Sequence, residues 1–124
     1  MSAATELAAL AAGTRAFVAA DPEIITLQNP VARVADGAGG WTETAGPDYI
    51  ETVRLIPQSD KVPVTATWEG AREKVEYVMM AEPEARDRIE KGATFIWRGQ
   101  TWLVAQLHDK PAYEFKADVI LHAG

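Results

Sequence analysis

The stretch that most limits the fold is residues 92–107, GATFIWRGQTWLVAQL, which reads as two strands turned about Arg98 and Gly99. Successive side chains of a strand leave opposite faces, so a strand packed on one core alternates apolar with polar. Here both faces are apolar. With a two-residue turn, Phe95, Trp97, Trp102 and Val104 share one face, and Ile96, Leu103 and Ala105 share the other. If the first set packs on the core, something else has to cover the second. Gly99 is expected at positive φ, as the second residue of a two-residue turn or as the bulge glycine after a type I turn.

At 124 residues the chain fits one domain, large enough to bury a core without disulfides or metal. It contains no cysteine, which removes thiol catalysis, thiolate metal sites and a disulfide scaffold together. The formal charge of −6 opposes a surface that gathers phosphates, because non-specific nucleic-acid binding needs clustered Lys and Arg. Residues 3–20 are apolar but Ala-rich and interrupted by Glu6, Thr14 and Arg15, with no basic region before them. They are expected to be neither a signal peptide nor a membrane span.

This first segment reads as a helix over residues 2–20, capped by Ser2 and closed by Asp21 and Pro22, with Leu7, Leu10, Ala11, Thr14, Phe17 and Val18 in one narrow stripe. From Glu23 onward the pattern is short strands. Residues 24–27 and 31–34 flank Asn29 and Pro30, and Gly37, Gly39 and Gly40 turn the chain. Residues 49–56 form a further strand. Residues 57–73 hold turn formers and few apolar anchors, and read as a long mobile loop. Residues 74–81 favour strand through their β-branched and aromatic content, residues 84–91 a short charged helical turn, and residues 113–122 a last strand.

No catalytic, cofactor or metal site is expected. His108 and His122 are fourteen residues apart, outside any ligand spacing, and read as solvent-facing groups near strand ends. Ser2 and Ser59 lack the context of an activated nucleophile. The carboxylates of Glu69, Glu73, Glu76, Glu82, Glu84, Asp87 and Glu90 read as a solvated face. The glycines at 37, 39 and 40 lack the Gly-Lys-Ser/Thr ending of a phosphate loop.

The order of the pieces carries a resemblance. Asp21-Pro22 before Ile24-Ile25-Thr26-Leu27, then Asp36-Gly37-Ala38-Gly39-Gly40-Trp41, Val53-Arg54-Leu55-Ile56-Pro57-Gln58, Arg88-Ile89-Glu90-Lys91-Gly92-Ala93-Thr94-Phe95 and Gly99-Gln100-Thr101-Trp102-Leu103-Val104 resembles the head closure, or head-to-tail stopper, proteins of long-tailed bacteriophages. The resemblance spans residues 21–121. The chain departs from the family pattern at Ala93, where Asp is common, and at Trp102, where Tyr is commoner.

The resemblance implies a mainly β fold, a small β-barrel with an N-terminal helix, that assembles as a ring, twelvefold in this family. The ring would lie in the virion neck, beneath portal and adaptor and above the tail terminator or tail tube, with packaged DNA passing through its lumen and no membrane contact. The loop would close the channel through Gln58, Ser59, Asp60, Lys61, Val62, Pro63, Thr65, Thr67 and Trp68. Leu7, Leu10 and Phe17 on the helix and Ile96 and Leu103 on the hairpin would form assembly contacts. Another phage connector, a tail terminator or adaptor, and a small β-barrel binding module are the alternatives.

Overall fold

The computed structural model describes residues 3–30, 32–35, 37–44, 48–58, 64–109 and 112–122. Helix α1 (Ala3–Ala20) precedes ten strands: β1 (Glu23–Gln28), β2 (Ala32–Ala35), β3 (Trp41–Thr44), β4 (Asp48–Pro57), β5 (Thr65–Trp68), β6 (Ala71–Lys74), β7 (Tyr77–Ala81), β8 (Thr94–Trp97), β9 (Gln100–Leu107) and β10 (Phe115–Leu121). A 3-10 helix, Pro83–Asp87, lies between β7 and β8. Six strands close an antiparallel barrel in the order β1-β4-β7-β10-β9-β8, the seam being Gln28 opposite Thr94.

Alternation decides which side chains fill it. Ile25 and Leu27, Val53 and Leu55, Met79 and Ala81, Phe95, Trp102 and Val104, and Phe115, Ala117 and Val119 point inward and are buried together. Ala85, Ile89 and Ala93, from the 3-10 helix and the turn after it, plug the end where β7 finishes. The opposite end is closed by Tyr77, Trp97 and Trp102. Tyr77 meets Trp97 edge to face at 5.0 Å between ring centroids and Trp102 at 5.2 Å, and Trp97 Nε1 donates to Glu23 at 3.2 Å. The barrel is therefore a packed core, with no passage through it.

Arg98 and Gly99 join β8 to β9 as a two-residue turn with φ of 52° and 74°, so the expected positive φ of Gly99 holds. Phe95, Trp102 and Val104 go inward while Leu103 and Ala105 go outward, as the alternation requires. Gly37 and Gly39 take φ of 80° and 88° in the expected turn, and Gly40 leads into β3, a strand the sequence reading lacks.

Residues 57–73 differ from the expectation of one long loop. Thr65–Trp68 and Ala71–Lys74 pair as a hairpin turned at Glu69 and Gly70, both at positive φ. This hairpin covers the β9 part of the second face of the β8–β9 pair, Leu103 and Ala105, and leaves Ile96 of β8 bare. Ala66, Val75, Leu103, Ala105 and Ile120 bury one another on the outside of the barrel, with Trp68 and Val78 packed against them. The side chain of Trp68 reaches the plugged end: a Cβ built at Gly92 falls 3.2 Å from Trp68 Cη2 and 3.0 Å from Pro30 Cγ. A strand without an obvious apolar run is thus fixed to the wall by one small residue and one aromatic.

Candidate functional site

The barrel wall divides into three arcs. Helix α1 lies over β4 and β7. It buries Ala11, Thr14 and Val18, whereas Leu7, Leu10 and Phe17 stay exposed. Arg54 binds the helix end twice, its guanidinium 3.8 Å from the Phe17 ring centroid and its Nη1 donating to the Phe17 carbonyl at 3.0 Å. The β5–β6 hairpin clothes the second arc, over β9 and β10. The third arc, the outer side of β1, of β8 and of β4 about Ile50, is open among the described residues.

Register places three isoleucines there. Thr26 lies opposite Ile50, Ile24 opposite Thr52, and Gln28 opposite Thr94 two residues before Ile96. Ile24, Ile50 and Ile96 are 74%, 75% and 75% exposed, the most exposed large apolar side chains described. With Thr26, Asp48, Thr94 and Thr101, the isoleucines of β1 and β8 line a trough of about 570 Å3. Alternation in a barrel gives polar residues on the outer face, so a β-branched apolar cluster there is a surface suited to contact.

The sequence-derived contact residues separate accordingly. Ile96 is on the open arc, and Leu7, Leu10 and Phe17 are exposed on α1. Leu103 is corrected: it is 2% exposed, buried under the β5–β6 hairpin, and unavailable to a neighbouring subunit. Ile24 and Ile50 were missed, although the run Ile24-Ile25-Thr26-Leu27 carries an outward isoleucine. Of the loop residues, Ser59, Asp60, Lys61, Val62 and Pro63 lie outside the described residues. Gln58 is tied by its N–H to the Glu76 carbonyl at 3.0 Å, and Thr65, Thr67 and Trp68 belong to β5. Trp68 is a wall contact and leaves the channel-closing set. The Ser2 cap also lies outside the described residues.

Polar groups concentrate at the plugged end. Glu51, inward-facing and buried on β4, accepts from Arg88 Nε and, at 3.1 Å, from Arg88 Nη2, which also reaches Glu82 at 3.0 Å. Buried Asn29 holds the same turn by donating to the Arg88 carbonyl at 2.7 Å and accepting from the Glu90 N–H at 3.1 Å. The hydrogen bond to Glu51 pushes the Arg88 guanidinium pKa above its ordinary value, against desolvation and with help from Glu82. A cationic pKa raised on folding stabilises at every pH below the unfolded value and loses that share only as pH rises through the folded one, in strong alkali. The cleft of about 470 Å3 beside this network, between α1 and β4, is lined by Arg15, Tyr49, Glu51, Glu82 and Arg88. Its guanidinium groups are engaged by its own carboxylates, so it offers structure more than chemistry.

His108 is more than a solvent-facing group: its Nε2 lies 2.8 Å from Oδ1 of buried Asp118, which ties the end of β9 to β10. Among the described residues no group of His, Asp and Glu is placed to hold a metal ion, and no helix is long and apolar enough to cross a membrane. No protein-family model matches the chain, and no curated protein matches its sequence.

Proposed function

We propose that this protein is a structural component of a bacteriophage neck, a ring subunit between portal or adaptor and tail that closes the DNA channel until ejection. The observation that carries the reading is the open isoleucine arc on a barrel whose other arcs are clothed by its own chain. A second apolar surface, formed by Leu10, Phe17, Met80 and Tyr113 beside α1, lies on a different side. Two unlike patches suit a heterologous contact, which closes by rotation into a ring. The filled interior supports a channel that runs between copies, in the lumen of the assembly. The acidic balance of −6 suits a lumen along which DNA slides without being held. The channel-closing role then rests on residues 59–63, with Gln58, Thr65 and Thr67 at their flanks.

The test is the mass of the assembled protein by native mass spectrometry, with ring counts in particle images. Ile50→Lys and Ile96→Lys are expected to leave the fold intact and abolish the ring. Replacing residues 59–63 by Gly and Ser, with the β5–β6 hairpin untouched, is expected to keep the ring and let DNA leak from tail-less heads. A monomer at all concentrations, in the presence of filled heads, overturns the ring. Normal DNA retention by the exchanged segment overturns the closing role and leaves a spacer between head and tail.

A further inference from the structure

None of the described side chains of α1 belongs to the barrel core or to the cluster under the β5–β6 hairpin. The barrel closes through strand pairing alone, and its open ends are filled by the 3-10 helix segment and the aromatic trio. Among the described side chains α1 buries Ala11, Thr14 and Val18, small residues from its middle onward.

Its polar fastenings run through solvent-exposed groups. Arg15 Nη2 meets Glu84 at 2.7 Å and Arg15 Nε meets Glu82 at 3.5 Å, with all three side chains between 41% and 51% exposed. Arg54 grips Phe17 from the barrel side. Exposed ion pairs contribute little and are screened by salt, the Debye length falling from about 10 Å at 0.1 M to about 3 Å at 1 M. An Ala-rich helix of this length retains helical character away from the wall, although it is marginal alone.

We infer that α1 detaches from the barrel as a unit, hinged at Asp21 and Pro22, in an equilibrium governed by the Arg15 and Arg54 contacts. Detachment frees Val18, Thr14 and Ala11 together with the already exposed Leu10 and Phe17, converting a partly covered stripe into a continuous one. Detachment takes apart the surface of Leu10, Phe17, Met80 and Tyr113, so in the proposed ring it belongs to the unassembled copy.

The experiment is a spin-label distance measurement on the full chain, with labels at Ala12→Cys on α1 and Gln106→Cys on the barrel, both exposed positions. A second, longer distance population is expected. It should grow about threefold between 0.1 and 1 M NaCl, and again in Arg15→Gln and Arg54→Gln, while the cooperative melting of the barrel stays in place. A single distance that neither salt nor the arginine variants alter overturns the inference. Loss of helix and barrel signals in one transition, with no longer-distance population before it, overturns it as well.

Discussion

Substituting alanine at Gly92 tests whether the β5–β6 hairpin is anchored where the structure puts it. Gly92 has φ of 94° and donates its N–H to the Val104 carbonyl at 2.8 Å, so the backbone is fixed in a region that side chains rarely adopt. Placing an L-residue there costs about 1–2 kcal/mol. The added methyl also falls 3.0 Å from Pro30 Cγ and 3.2 Å from Trp68 Cη2, and displacing packed groups of this kind costs about 1–3 kcal/mol. Gly92→Ala is therefore expected to destabilise by about 2–5 kcal/mol. At roughly 4 °C per kcal/mol for a chain of this size, that lowers the melting temperature by about 8–20 °C.

The backbone and contact parts separate in a double-mutant cycle with Trp68→Ala, followed by urea denaturation. Removing the indole relieves one of the two close contacts, so Gly92→Ala should cost at least about 0.5 kcal/mol less in that background. Additive effects would mean that the indole does not lie over Gly92, and the hairpin would then lose its anchor at the plugged end. An unchanged midpoint for Gly92→Ala alone would refute both parts of the reasoning.

Arg88→Met leaves the buried Glu51 carboxylate without its main partner and is expected to cost about 2–3 kcal/mol by urea denaturation, below the full penalty for a buried pair because Arg88 is partly exposed. Gly99→Val meets open space but needs φ near 74°, so it should cost about 1–2 kcal/mol from the backbone alone, visible as a lower melting temperature with unchanged assembly. Ile50→Lys and Ile96→Lys stand on the exposed face and should shift stability by less than about 1 kcal/mol in the isolated chain, measured by the same melts, while removing any self-association seen by native mass spectrometry.

The elements that sequence made legible are those whose signals are local. Asp21 and Pro22 end α1, Arg98 and Gly99 turn β8 into β9, and the β-branched alternation of residues 49–56 makes β4, although it leaves open which face turns inward. The β5–β6 hairpin was hidden because its packing depends on Ala66 and Trp68, too few for a periodic pattern, and on partners at 103, 105 and 120. Its one local clue is the Glu69-Gly70 pair, a two-residue turn between Thr-rich and charged tetrapeptides. The double apolar face of residues 92–107 did announce a cover, but long-range pairing put the hairpin over Leu103 and Ala105 and left Ile96 bare. Asn29 gave no signal: its burial follows from where the turn at 88–90 folds back, a tertiary fact. The open isoleucine arc was half visible, since strand alternation puts Ile24, Ile50 and Ile96 outward only once the inward sets are known.

The angle between the two apolar surfaces bears on the proposed ring. In a ring of n copies the two contact faces of a subunit subtend 180° − 360°/n, about 120° for six copies and about 150° for twelve. Six strands share the barrel circumference, so each step between neighbours turns about 60°. The isoleucine arc centres on β1. The surface of Leu10, Phe17, Met80 and Tyr113 lies two strands further round, over β7 towards β10, and thus about 120° to 150° away. In the proposed ring, faces so placed would carry each copy round a closed circle, whereas an isologous pair would use one of them and leave the other bare. Strand tilt shifts the figure by some tens of degrees and with it the copy number the proposal implies. Particle images showing a face-to-face dimer joined through Ile24, Ile50 and Ile96 would refute this geometry, because the second surface would then be left uncovered in the finished assembly.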